Sequence, residues 1–124
     1  MSQRVVILGA SDNPERYSNK AMHMLKDYGH SIVLISPRLK EIEGNAVLAS
    51  LSEVKGAVDT LTMYVGAQLS SNMLNEILKL NPKRVIFNPG SENAVLQKAL
   101  KEKGVFVEEA CTLVLLRTNQ FDSN

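Results

Sequence analysis

Five short, mostly apolar runs recur along the chain: Val5-Val6-Ile7-Leu8, Ile32-Val33-Leu34-Ile35, Leu61 to Val65, Val85-Ile86-Phe87 and Val105-Phe106-Val107. A strand that is apolar at nearly every position must be covered on both faces, as happens when a parallel sheet lies between two helix layers. Between the runs, apolar residues fall at helical spacing: Ala21, Met22 and Leu25; then Met73, Leu74, Ile77 and Leu78; then Val95, Leu96, Ala99 and Leu100. Gly29 and Gly104 follow two of these stripes, where a helix would end before the next strand. Repeated strand-helix-strand units with right-handed crossovers predict a three-layer α/β/α sandwich around a mainly parallel sheet of about five strands.

The 124 residues suit one domain, here taken as residues 1–124, with one real core. Pro37 to Val58 is less regular and is predicted to be mostly loop with a short helical turn. The polar tail after Arg117, ending Phe121-Asp122-Ser123-Asn124, is predicted to fray.

A formal charge of +1 argues against the broad basic surface that non-specific nucleic-acid binding requires, so no nucleic-acid partner is predicted. The single cysteine, Cys111, excludes an internal disulfide and a Cys-rich zinc site, which points to a reducing cytoplasm. The lead-in Met1-Ser2-Gln3-Arg4 and the short run after it read as the start of a first strand and not as a signal peptide. No run approaches the ~18 consecutive apolar residues of a bilayer span, so no membrane association is expected.

In an open α/β sheet, ligands bind outside the carboxyl ends of the strands, where strand order reverses. Gly9, Gly66 and Gly90 follow predicted strands at that edge, where a missing side chain lets a ligand approach the backbone. The alternative is that they simply make tight strand-to-helix turns. After the first strand the chain reads Gly9-Ala10-Ser11-Asp12-Asn13-Pro14-Glu15-Arg16-Tyr17-Ser18, which departs from G-x-G-x-x-G because Ser11 replaces the second glycine. A helix starting near Ser18 would still offer backbone N–H groups and its positive dipole end to a phosphate. At the end of the second strand, NAD-binding domains place an acid for the ribose 2′-hydroxyl. Here Ser36-Pro37-Arg38 stands in that place with Lys40 beyond, which suits a phosphorylated ribose, as in NADP or coenzyme A, or else two solvated surface charges.

Gly9-Ala10-Ser11, Pro14 to Ser18, Ser36-Pro37-Arg38 and Asn88-Pro89-Gly90 occur in this order, with Val58-Asp59-Thr60 and Glu109-Ala110-Cys111-Thr112 beside them. The ordered set resembles the small stand-alone CoA-binding proteins, relatives of the N-terminal domain of the succinyl-CoA synthetase alpha subunit. The resemblance implies a Rossmann-like domain holding coenzyme A or an acyl-CoA. It assigns Gly9, Ala10, Ser11, Pro14, Tyr17 and Ser18 to a first binding loop. Ser36, Pro37, Arg38 and Lys40 would form the adenosine and phosphate side, Val65 and Gly66 the third strand end, and Asn88, Pro89 and Gly90 the fourth. The phosphorylated histidine of the ligase relatives lies in another domain, so no catalytic residue is carried over.

His23 and His30 match no catalytic position and are expected to be structural or surface residues. Cys111, followed by the apolar Leu113 to Leu116, reads as a small buried hydrophobe. Adjacent Glu108 and Glu109 point to opposite sides of a strand, poor geometry for an acid and base pair. Met22, Met24, Met63 and Met73 read as core filler. The expectation is a non-catalytic module without a metal, acting as carrier, sensor or accessory subunit, with a protein partner or second copy unidentified. The rivals are an NADP-binding subunit of an oxidoreductase and an interaction module whose nucleotide site is vestigial.

Overall fold

The protein is described here by a computed structural model over residues 2–122; Met1, Ser123 and Asn124 lie outside the described residues. The elements run β1 (Arg4–Leu8), α1 (Tyr17–Asp27), β2 (Ser31–Ile35), β3 (Glu41–Ile42), β4 (Asn45–Leu48), a 3-10 turn (Leu51–Glu53) and β5 (Thr60–Met63). They continue with α2 (Ala67–Ser70), α3 (Leu74–Leu80), β6 (Arg84–Phe87), α4 (Ala94–Glu102), β7 (Phe106–Glu109) and α5 (Thr112–Arg117). One sheet contains all seven strands in the order β3-β4-β2-β1-β5-β6-β7. Every neighbouring pair is parallel except β3 with β4.

Strand alternation sorts the apolar side chains onto two faces. Val5 and Ile7 pack with Ala21, Met22 and Leu25 of α1 and Leu113, Leu115 and Leu116 of α5. Val6 and Leu8 point the other way, toward Leu51 of the 3-10 turn, Ile77 of α3, and Leu96 and Leu100 of α4. Covering both faces removes Val5 to Leu8 of β1 from water, which explains their unbroken apolar run. The chain leaves β1 toward β2 on one side and returns past it to β5 on the other. The strand order therefore reverses at the β1/β5 boundary, so the connections after β1 and β5 lead to opposite halves of the sheet.

Three expectations change. The sheet has seven strands because the segment expected to be loop forms the β3–β4 hairpin, with β4 pairing β2 at Leu34↔Val47 and Ile35↔Leu48. Val95 does not belong to the buried stripe of α4; it is 81% exposed, while Gln97 turns inward. The tail does not fray up to Asp122. The N–H groups of Gln120 and Phe121 donate to the Leu115 carbonyl, and Phe121 is buried against His30 and under the Arg84 guanidinium, 4.4 Å from its ring centroid. Gln3 Nε2 also donates to Asp122 Oδ1 at 2.8 Å, fastening the tail to the start of β1.

Candidate functional site

At the reversal point a crevice of about 1050 Å³ opens along the carboxyl ends of the strands. Its walls are Gly9 to Asp12 and Glu15 to Ser18 after β1, Ser36 to Leu39 after β2, Tyr64 to Gly66 with Leu69 after β5, and Pro89 to Ser91 after β6. Four separate loops converge because the parallel arrangement sends every strand's carboxyl end to one edge.

Gly9 turns the chain out of β1 at φ +93, and a Cβ there would meet the Tyr64 carbonyl oxygen and Val65 Cγ1 at 3.0 Å each. The β1 and β5 loops therefore touch at a position only glycine accommodates. Gly90 is also left-handed, at φ +94. Gly66 has φ −73 and starts α2, so its value to the crevice is the open space left where a side chain would stand.

The backbone N–H groups of Gly9 and Ala10 both donate to the Ile35 carbonyl, at 3.1 and 3.0 Å, and are spent on joining β1 to β2. Anion-binding capacity lies instead at the start of α1. Helix α1 begins at Tyr17, its preceding residue Arg16 is extended, and no side chain among the described residues caps it. An uncapped helix N-terminus facing a cleft attracts phosphate or carboxylate through free N–H groups and the helix dipole. The Arg16 and Arg38 side chains, both exposed at the crevice, make no hydrogen bond or ion pair with the described residues. Asp12 and Glu15 share the lining, so the site is mixed in charge with its two guanidiniums unpaired.

Of the residues singled out from sequence, Gly9, Ala10, Ser11, Tyr17, Ser18, Ser36, Pro37, Arg38, Val65, Gly66, Pro89 and Gly90 line the crevice together. Pro14 and Lys40 are exposed outside the lining, and Asn88 is buried beneath it. Asn88 Nδ2 donates to Thr62 Oγ1 and the Met63 carbonyl at 2.7 and 2.8 Å, while its Oδ1 accepts the Thr112 N–H at 2.9 Å. Every polar atom of that amide is engaged in joining β5, β6 and α5.

Asp12, Glu15, Arg16, Leu39, Tyr64, Leu69 and Ser91 also line the crevice and were not singled out. Arg16 had a signal, standing immediately before the first helical residue; Leu69 had none, being one apolar residue in a short helix. Tyr64 packs beside the α1/α5 core. Its hydroxyl is enclosed with no hydrogen-bond partner among the described residues, and burial pushes the phenol up to about 12, only partly offset by the nearby Thr112 and Thr62 hydroxyls. It keeps its proton at neutral pH.

His23, His30 and Cys111 lie outside the lining; Cys111 is half-buried against the α1/α5 core. Among the described residues no group of three or more His, Cys, Asp or Glu is placed to hold a metal ion, and no helix is long and apolar enough to cross a membrane.

Relatives share this architecture. The chain is 27% identical over 103 residues to the uncharacterized protein YneT of Bacillus subtilis, covering 83% of this chain and 76% of that one. The crystal structure of an uncharacterized protein superposes with a TM-score of 0.91 at 37% identity, over 98% of this chain and 99% of the other. A dinucleotide-forming acetyl-coenzyme A synthetase 1 from Ca. Korarchaeum cryptofilum, solved with phosphate and ADP, shares the fold with a TM-score of 0.73 at 19% identity. That match spans 85% of this chain but 25% of the synthetase. The sequence profile of the CoA binding domain family matches residues 3–117, nearly the whole sequence, and the chain belongs to that family.

Proposed function

We propose that this chain binds coenzyme A or an acyl-CoA in the crevice at the β1/β5 reversal, as a non-catalytic carrier, sensor or accessory subunit in the cytoplasm. The observation that carries the reading is the pairing of an uncapped helix start with two partnerless guanidiniums, Arg16 and Arg38, on one open crevice. Coenzyme A presents a pyrophosphate and a 3′-phosphate joined to an uncharged pantetheine arm. The start of α1 with Arg16 suits the pyrophosphate, Arg38 the ribose phosphate, and the side between Val65, Gly66, Leu69 and Pro89 the uncharged arm.

Chemistry on the thioester would need a nucleophile and a base within hydrogen-bond reach of each other. The ionisable side chains of the lining are Asp12, Glu15, Arg16, Tyr17, Arg38 and Tyr64, and the last holds its proton. That composition favours holding a ligand over transforming it.

Thermal unfolding of the purified protein with CoA, acetyl-CoA and NADPH tests the reading, because a ligand that binds only the folded state raises the melting temperature. A rise with CoA or acetyl-CoA is expected. A rise with NADPH alone transfers the site to an oxidoreductase subunit, and no rise with any of the three removes the nucleotide reading.

A further inference from the structure

We propose that Glu43, at the tip of the β3–β4 hairpin, is a positioning residue for the crevice loop and acts through Asn19. The inference rests on the reading of the crevice as a CoA site. Asn19 is 1% exposed in the first turn of α1. Its Nδ2 donates to the Ser11 carbonyl at 3.0 Å and to Glu43 Oε2 at 3.3 Å. Ser11 lines the crevice, whereas Asn19 and Glu43 do not. One buried amide thus joins the ligand loop to the β3–β4 hairpin.

Three further features show that the hairpin is held to this purpose. Glu43 adopts φ +50, a conformation that a non-glycine residue takes at a cost, which the surrounding contacts must sustain. His23 Nε2, one turn after Asn19, lies 3.1 Å from the same Glu43 oxygen, so that oxygen is shared between two groups on α1. Asn45 Oδ1, across the hairpin turn, accepts from Lys26 Nζ at 3.2 Å and gives α1 a second attachment. An acceptor at Glu43 fixes the rotamer of Asn19, and Asn19 in turn fixes where the Ser11 carbonyl points. Loss of that acceptor frees the Asn19 amide and loosens the loop from Ser11 to Arg16.

The test compares wild type with Glu43→Ala and Glu43→Gln in the full chain. Glu43 is exposed, so both variants are expected to fold. The glutamine keeps an acceptor oxygen. Amide hydrogen exchange is followed without ligand, and CoA affinity by calorimetry. Glu43→Ala is expected to speed exchange across residues 11–16 by about threefold or more, with β1 and β2 unchanged, because the effect is a local opening. It should also weaken CoA binding about fivefold, the size of a typical indirect coupling. Glu43→Gln is expected to recover both. Exchange and affinity both within about twofold of wild type in Glu43→Ala, or no recovery in Glu43→Gln, overturns the proposal. Should wild type take up no CoA, the binding reading fails, while exchange across residues 11–16 still decides the role of Glu43.

Discussion

The side chain of Asn88 accepts the backbone N–H of Thr112 at 2.9 Å, so the amide after β6 fastens the first residue of α5 beneath the crevice. The same side chain donates to Thr62 and the Met63 carbonyl. Asn88→Ala leaves a buried donor and a buried acceptor without partners, and roughly 3 kcal/mol of folding stability is expected to go. Urea unfolding checks the value. The fraction that remains folded should bind CoA with near-normal affinity, since Asn88 supports the crevice and does not line it.

Gly9 and Gly66 should part company on substitution. Gly9→Ala forces a side chain into the left-handed region and into the Tyr64 carbonyl and Val65, and a loss of about 2 kcal/mol or more is expected. Gly66→Ala keeps an ordinary backbone with nothing within 4 Å of the new Cβ, so stability should move by no more than about 0.5 kcal/mol. Thermal unfolding of the two variants side by side distinguishes them.

Charge removal at the rim should be selective. Arg16→Ala and Arg38→Ala are each expected to weaken CoA binding about tenfold, the worth of one charge-assisted contact. Lys40→Ala, outside the lining, should change affinity by less than about twofold. Equal losses at all three positions would mean that the general field of the surface, and not the crevice, attracts the ligand.

His30 gives the stability a pH dependence. Burial holds its imidazole below the ordinary histidine value, against the opposing pull of Asp122, and its Nδ1 accepts the Gln3 N–H at 3.0 Å. The folded state thus resists protonation while the unfolded state accepts it. Stability should be full above the unfolded pKa near 6.5 and fall as the pH drops below it, until the folded imidazole also protonates. Denaturant midpoints measured from pH 7.5 to about 5 should fall in wild type and fall less steeply in His30→Gln.

The inner strands β1, β2, β5 and β6 were legible because helices on both faces favour unbroken apolar runs such as Val5 to Leu8; β7 was found by the same kind of run although it lies at the sheet edge with Phe106 48% exposed. The hairpin was not: β3 has two residues, and the short apolar stretch that begins at Ala46 sits among the turn residues Pro37, Gly44 and Gly56, with Ala46 itself exposed, so it read as a loop with a helical turn. The tail was misjudged because its attachment depends on one apolar residue, Phe121, meeting His30 and Arg84 from distant parts of the chain. The crevice was readable where chain direction alone sets position, at Gly9, Ser36 and Pro89. Asn88 and Asn19 show the limit: an amide next to a site faces inward or outward according to partners such as Thr112 and Glu43, which local sequence does not reveal.

The most direct measurement is calorimetric titration of the purified protein with coenzyme A and, in parallel, with dephospho-CoA. The account predicts saturable heat at one site per chain for coenzyme A and affinity about tenfold weaker for the ligand lacking the 3′-phosphate. Heats for coenzyme A no different from those of dilution would contradict it.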